Sequence, residues 1–180
     1  LPFKWRDCKL KTVSYGHGIT TTPIQLAKGY AVIANGGYDV KPTLIKEKLY
    51  NLQKKRILNK KVSSQINKML RKVVTQGTAT LSDVEGYEVG GKTGTAQIVE
   101  NGVYTNKKIN TFASVFPSSN PKYVLVILLE DTKLSKDYEY KYRNRPGSFK
   151  GTPFNTAGWT SVEITGKIID KIGPILATKY

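Results

Sequence analysis

Cysteine is almost absent from this chain: Cys8 is the only one in 180 residues. No disulfide can close within it, and no thiolate cluster can hold a metal. His17 is the single histidine, which excludes a His-rich metal site, so neither a metal nor another cofactor is expected. Long apolar runs are missing too. The longest aliphatic stretch, Val124–Leu129, falls far short of the roughly 20 residues that cross a bilayer, and no signal peptide is visible. The chain opens on Leu1 instead of Met, so its natural beginning is expected to lie elsewhere. Acidic residues are scarce, 13 against 29 Lys and Arg, giving a net charge of +16. That balance suits a polyanion such as nucleic acid, an anionic membrane surface or an anionic wall polymer. The basic residues are scattered along the chain, however, so a Lys-rich background on solvated faces is the preferred reading and no nucleic-acid partner is expected. The length fits one domain or a piece of a larger one, and a hydrophobic fraction of 39% permits a core.

What is present centres on Val89–Ile98, a strand pattern interrupted by glycines. Glycine weakens a strand interior and marks a bulge or a close approach by something else. Here Gly90, Gly91 and Gly94 surround Lys92, Thr93 and Thr95, as if a ligand could lie along the backbone between an ammonium group and two hydroxyls. Other elements follow from local signals. Thr22, Pro23 and Gln25 predict a capping box and a helix to about Ala34, largely buried and stopped by Asn35-Gly36-Gly37. Ile66, Met69, Leu70 and Val73 predict a core stripe on a helix over Val62–Gln76, capped by Ser63 or Ser64 and ended by Gly77. A turn at Glu100–Gly102 and strands over Thr111–Phe116 and Tyr123–Glu130 complete an antiparallel meander with the Lys92 strand. A last helix is expected after Gly158-Trp159, with Thr160 and Glu163 as a capping box, an Ile164/Ile168/Ile172 stripe and an end at Gly173-Pro174. Leu1–Ser14 is poorly periodic. A short strand is expected near Thr43–Leu49, then a loop whose Lys54-Lys55-Arg56 cluster reads as a solvated tip. His17, between glycines, is either a proton-transfer group or, more commonly, a turn residue. Lys133–Thr156 mixes Tyr138, Tyr140 and Tyr142 with Lys136, Lys141, Arg143 and Arg145; this suits base stacking or a sugar polymer, but a mobile loop is the preferred reading.

Lys92-Thr93-Gly94, preceded by glycines and followed by Thr95-Ala96-Gln97, resembles the Lys-Thr-Gly strand of penicillin-binding transpeptidases and serine β-lactamases. The block from Tyr15 through Thr22-Pro23-Ile24-Gln25-Leu26 to Ala34-Asn35-Gly36-Gly37 resembles class B penicillin-binding proteins, and the segment from Gly158-Trp159 to Leu176 resembles the C-terminus of their septal, division-type members. The resemblance spans about Leu1 to Leu176. It implies an α+β fold of the β-lactamase/transpeptidase kind, an antiparallel sheet with flanking helices. It also implies a D,D-transpeptidase in which a serine attacks the D-Ala–D-Ala carbonyl and the acyl-enzyme passes to the amine of a second stem peptide. On that resemblance Lys92, Thr93 and Gly94 form the catalytic set, and Gly91, Thr95 and Gln97 bind substrate. Lys92 would attract the donor's carboxylate, the threonine hydroxyls would bond it, and the Thr95 N–H would form half of an oxyanion hole. Implied partners are peptidoglycan stem peptides, β-lactams as inhibitors, and division-complex proteins including a glycan polymerase. The implied location is the periplasmic side of the inner membrane.

One departure from the family pattern matters. No Ser-x-x-Lys or Ser-x-Asn precedes Lys92. Ser119-Asn120-Pro121-Lys122 and Ser118-Ser119-Asn120 spell these motifs after it, but in a proline-rich turn unsuited to opening a helix. The chain is therefore expected to be the C-terminal portion of a transpeptidase domain, inactive alone. The alternatives are a β-lactamase or β-lactam sensor of the same fold, and a non-catalytic basic module that binds polyanions.

Overall fold

The computed structural model describes residues 5, 7–16, 18–45, 55–133, 135–151 and 154–179. The readings of His17 and Lys54, and most of the strand expected near Thr43–Leu49, lie outside them. Thr43–Ile45 form no strand. The helices are α1 (Asp7–Val13), α2 (Pro23–Ala34), α3 (Lys60–Gln76) and α4 (Ser161–Ala177). The strands are β1 (Gly90–Glu100), β2 (Val103–Phe116), β3 (Tyr123–Glu130), β4 (Glu139–Lys141) and β5 (Ser148–Lys150). Single 3-10 turns occupy Thr80–Ser82 and Ala157–Trp159. The α+β expectation, antiparallel sheet with helices against it, holds. The helix α1 was not legible in the irregular opening segment.

The start of α2 follows its local chemistry. The Gln25 N–H donates to Thr22 Oγ1 (3.3 Å) and the Thr22 N–H donates to Gln25 Oε1 (2.9 Å), so two orphan donors are satisfied. Burial differs from expectation: only Val32 and Ala34 are buried, and Ile24 is 58% exposed. Neighbours reach only the C-terminal half, where Tyr30, Ile33 and Ala34 pack with Leu70 and Val115. The helix α3 begins two residues earlier than expected, because Asn59 caps it with Oδ1 on the Lys61 N–H (2.8 Å). Ser63 lies inside the helix instead. Its buried face is Ser63, Asn67, Leu70 and Val74, while Met69 is 64% exposed. Polar residues hold that face because α2 ends against it. Ser63 Oγ donates to the Ile33 carbonyl (2.5 Å) and Asn67 Nδ2 to that of Ala34 (3.4 Å), two carbonyls that lack partners at a helix end.

The sheet is three-stranded in the order β1-β2-β3, antiparallel throughout. Asn101 and Gly102, both at positive φ (52° and 79°), supply the two-residue turn that right-handed strand twist favours. The strand β2 starts at Val103, well before the expected Thr111. Its polar first half carries little strand signal of its own and is held by pairing with Ala96–Glu100 of β1. One face of the sheet presents Phe112 and Phe116 to a core containing Val162 and Ile169 of α4. The other presents Val115 to α2 and α3. The outer side of β3 has no partner strand among the described residues, and Leu128 there is 44% exposed.

The last helix corrects three expectations. Thr160 makes no side-chain cap, and Glu163 turns instead to accept from the Tyr138 hydroxyl (3.0 Å). The packed face is Val162, Thr165, Gly166, Ile169 and Gly173, while Ile164 is 37% exposed. Small residues are needed there because a Cβ on Gly166 would stand 2.5 Å from the Leu81 carbonyl oxygen. The helix also runs through Pro174 to Ala177. Pro174 lacks the N–H that would bond the carbonyl of Asp170, a residue exposed to solvent. Residues 133–156, read as a mobile loop, contain the β4–β5 hairpin. Tyr140 is buried there, edge-on to Trp159 with ring centroids 5.2 Å apart, and edge-on to Tyr138 at 4.6 Å.

Candidate active site

The glycines of β1 divide into two kinds. A Cβ on Gly91 would sit 2.5 Å from the Phe112 ring and 2.7 Å from the Ala113 carbonyl oxygen. Gly91 is buried beneath that ring and opens no surface to a ligand, which removes it from the substrate-binding set. Gly94 is different. It is exposed, and a Cβ there would meet only Thr111, at 4.0 Å. The room for a ligand backbone lies there.

Alternation along the strand sends Thr93 and Thr95 to the α4 side and Lys92 to the other. A cavity of about 440 Å³ opens on the threonine side. Thr93 and Thr95 form one wall, Gly77, Thr78 and Thr80 after α3 a second, and Thr156, Gly158 and Trp159 a third. Tyr142 and Arg145, from the turn joining β4 to β5, close it. The Thr78 and Thr93 hydroxyls are 2.9 Å apart, sharing a hydrogen bond. Lys92 does not line this cavity. Its Nζ is exposed and donates to the Thr93 carbonyl (2.8 Å), and no ion pair engages it among the described residues. Gln97 also lies outside the cavity, its Nε2 donating to the Thr105 carbonyl (3.3 Å) across the β1–β2 pair.

Thr95 is held by a polar chain that sequence reading missed. Its Oγ1 donates to Asn110 Oδ1 (3.2 Å) and accepts from the Ala157 N–H (3.0 Å). Asn110, fully buried, donates through Nδ2 to Asn155 Oδ1 (2.7 Å), and Asn155 donates to the Thr132 carbonyl (3.1 Å). The Thr95 hydroxyl proton is thus committed to Asn110. The sequence reading had that proton donated to a carboxylate instead. Asn110 and Asn155 gave no sequence signal, because their importance comes from what the fold brings to them. Arg145 was legible only as part of a basic, Tyr-rich loop. Ser118, Ser119 and Asn120 lie in the β2–β3 turn, where Ser119 Oγ bonds the Glu88 carboxylate and no helix begins.

Comparison with known proteins points one way. The sequence profile for the penicillin binding protein transpeptidase domain matches residues 1–148. A "Probable peptidoglycan D,D-transpeptidase FtsI" from Caulobacter vibrioides is 28% identical over 190 residues, covering 99% of this chain and 30% of the relative. The "Peptidoglycan D,D-transpeptidase FtsI homolog" of Mesostigma viride is 34% identical, covering 74% of this chain and 26% of the relative. Among solved structures, the apo transpeptidase domain of penicillin-binding protein 3 from Burkholderia pseudomallei superposes with a TM-score of 0.75 at 26% identity, over 95% of this chain and 47% of that one. The chain therefore spans under a third of the length of these two curated relatives.

Proposed function

The chain belongs to the penicillin-binding protein transpeptidase family, and from that premise we propose that it forms the substrate-binding wall of a peptidoglycan D,D-transpeptidase. The observation that carries this reading is the run from Lys92 to Thr95, exposed except at half-buried Thr93. It is free of ion pairs among the described residues, open at Gly94, and flanked by a cavity rich in hydroxyl groups. A donor stem peptide would lie along β1 as an added strand, its main chain against Gly94. The attacking serine would come from a Ser-x-x-Lys helix that these 180 residues do not supply. Its oxygen adds to the D-Ala–D-Ala carbonyl, the terminal D-alanine leaves with a proton, and the amine of a second stem peptide then takes the acyl group. The Thr95 N–H supports the oxyanion as charge develops, a contribution worth about 100- to 1,000-fold in rate. Lys92 sets the positive potential at the strand edge and raises the acidity of hydroxyls used for proton transfer. Gln97 has no direct part in this scheme and acts through the β1–β2 pairing.

β-Lactams would acylate the same serine as mimics of the donor. The reading extends to a division role on the periplasmic face of the inner membrane, beside a glycan polymerase; the two relatives named for FtsI support the transpeptidase part of it. No described helix is long and apolar enough to cross a membrane, so the anchor would lie outside these residues. Labelling of the full-length protein with a fluorescent penicillin tests the proposal. Covalent labelling is expected, abolished by Ser→Ala in the Ser-x-x-Lys motif and strongly slowed by Lys92→Ala. A full-length protein that takes up no label, or a Lys92→Ala variant labelled at the wild-type rate, would sink it.

A further inference from the structure

The threonine-lined cavity holds a cation, and it is not Lys92. Among the described residues, Arg145 alone brings positive charge to its lining, and no aspartate or glutamate lines it. The remaining polar groups are the hydroxyls of Thr78, Thr80, Thr93, Thr95 and Thr156, with Tyr142 and backbone at Gly77 and Gly158. The Thr95 hydroxyl proton is already given to Asn110, but the other hydroxyls and one guanidinium, with no carboxylate in the lining among the described residues, make a setting for a small anionic group.

The basic side chains around the β4–β5 hairpin differ in what already holds them. Arg143 faces Asp170 at 4.0 Å, and Lys167 faces Glu163 at 3.6 Å. Arg145 has no acidic partner among the described residues. Its guanidinium carbon lies 4.0 Å from the centroid of the Tyr142 ring, a cation–π contact that orients the planar group and leaves its N–H edge for another partner. The hairpin holding it is anchored. The Tyr142 N–H bonds the Gly147 carbonyl (3.2 Å), and buried Tyr140 packs edge-on against Trp159. Trp159 ends the 3-10 turn that begins at Ala157, whose N–H bonds Thr95. A short run of contacts therefore links the Arg145 turn to the binding strand.

We propose that Arg145 is a specificity-determining residue of this site: stacked on Tyr142, it reads the terminal carboxylate of the substrate from the threonine side of β1. This rests on the function proposed above. It reassigns the carboxylate from Lys92, whose side chain leaves the opposite face of the strand. An arginine fork matches the two oxygens of a carboxylate, and a hydrogen bond to a charged group corresponds to about ten- to a hundredfold in affinity.

The test compares N-acetyl-D-alanyl-D-alanine with its C-terminal amide, each titrated into the full-length protein and followed by NMR. The wild type should favour the acid by about ten- to a hundredfold. Arg145→Gln should erase that preference by weakening the acid about ten- to a hundredfold more than the amide, Arg145→Lys should restore part of it, and Arg143→Gln should keep all of it. A preference that survives Arg145→Gln overturns the inference. So does an equal loss of acid and amide binding, or a wild type with no acid preference. Fluorescent penicillin run in parallel separates the two levels. Labelling without an Arg145 effect defeats this inference alone, whereas absent labelling defeats the functional reading and leaves the titration to decide on Arg145.

Discussion

One added methyl group, placed at Gly91 or at Gly94, should separate what β1 does for stability from what it does for binding. At Gly91 the new Cβ would stand 2.5 Å from the Phe112 ring and 2.7 Å from a backbone oxygen of β2. Neither can yield easily: Phe112 is fully buried at the centre of the larger core, and the oxygen belongs to the strand paired with β1. Overpacking of this kind costs about 1–3 kcal/mol. With a urea dependence of about 1–3 kcal/mol per molar, Gly91→Ala should lower the unfolding midpoint by on the order of 1 M. At Gly94 the same methyl meets only Thr111, at ordinary contact distance. Gly94→Ala should therefore change stability by less than about 0.5 kcal/mol. It should nevertheless slow penicillin labelling by tenfold or more, on the order of 1.4 kcal/mol, because the methyl occupies the open edge. Urea unfolding and labelling rates of both variants decide the matter. A Gly91→Ala protein as stable as wild type, or a Gly94→Ala protein that loses stability but labels normally, would refute the division drawn between the two glycines.

Asn110→Ala should cost about 1–3 kcal/mol, since it strands partners of a fully buried amide; with Thr95 released it should also slow labelling, read by urea unfolding and fluorescent penicillin. Lys28 holds the Asp39 carboxyl below its ordinary 3.8, first through their hydrogen bond. Lys28→Gln should move the Asp39 titration in NMR up toward that value, and the contribution it removes is one present above the ordinary pKa and lost as pH falls through the lowered one. Burial, with help from Tyr138 and Glu163, raises the Tyr140 phenol above its ordinary 10.0. The folded state thus keeps a proton the unfolded state gives up, and stability should fall as pH rises from 10.0 through the raised value. Tyr140→Phe should flatten that decline in urea midpoints measured across the alkaline range.

The parts of this fold legible in the sequence are those whose causes are local. The Thr22–Gln25 capping box, the Asn101-Gly102 turn and the apolar run of β3 each carry their reason within a few residues. What escaped depends on distant partners. Ser63 and Asn67 are buried because α2 ends beside them. The first half of β2 is a strand because β1 pairs with it. Gly166 and Gly173 beside Ile169, not the expected Ile164/Ile168/Ile172 stripe, mark the packed side of α4, because chain from residues 81 to 87 presses against the two glycines. The hairpin at residues 139–150 depends on Trp159, which sequence order gives no reason to place beside Tyr140. The site divides the same way. Lys92, Thr93 and Gly94 were readable as a motif, whereas Thr78, Thr156 and Arg145 join it only through tertiary folding.

The bare outer margin of β3 has a practical consequence. Its residues are apolar except for the Tyr123 hydroxyl and Glu130 at the two ends, and the main-chain groups on the side away from β2 have no strand to receive them among the described residues. Such a margin is adhesive toward a second copy of itself. In the test tube the 180-residue polypeptide should zip into edge-joined pairs as its concentration rises. Its +16 charge will hold copies apart in dilute buffer and lose that grip as salt shortens the reach of the repulsion.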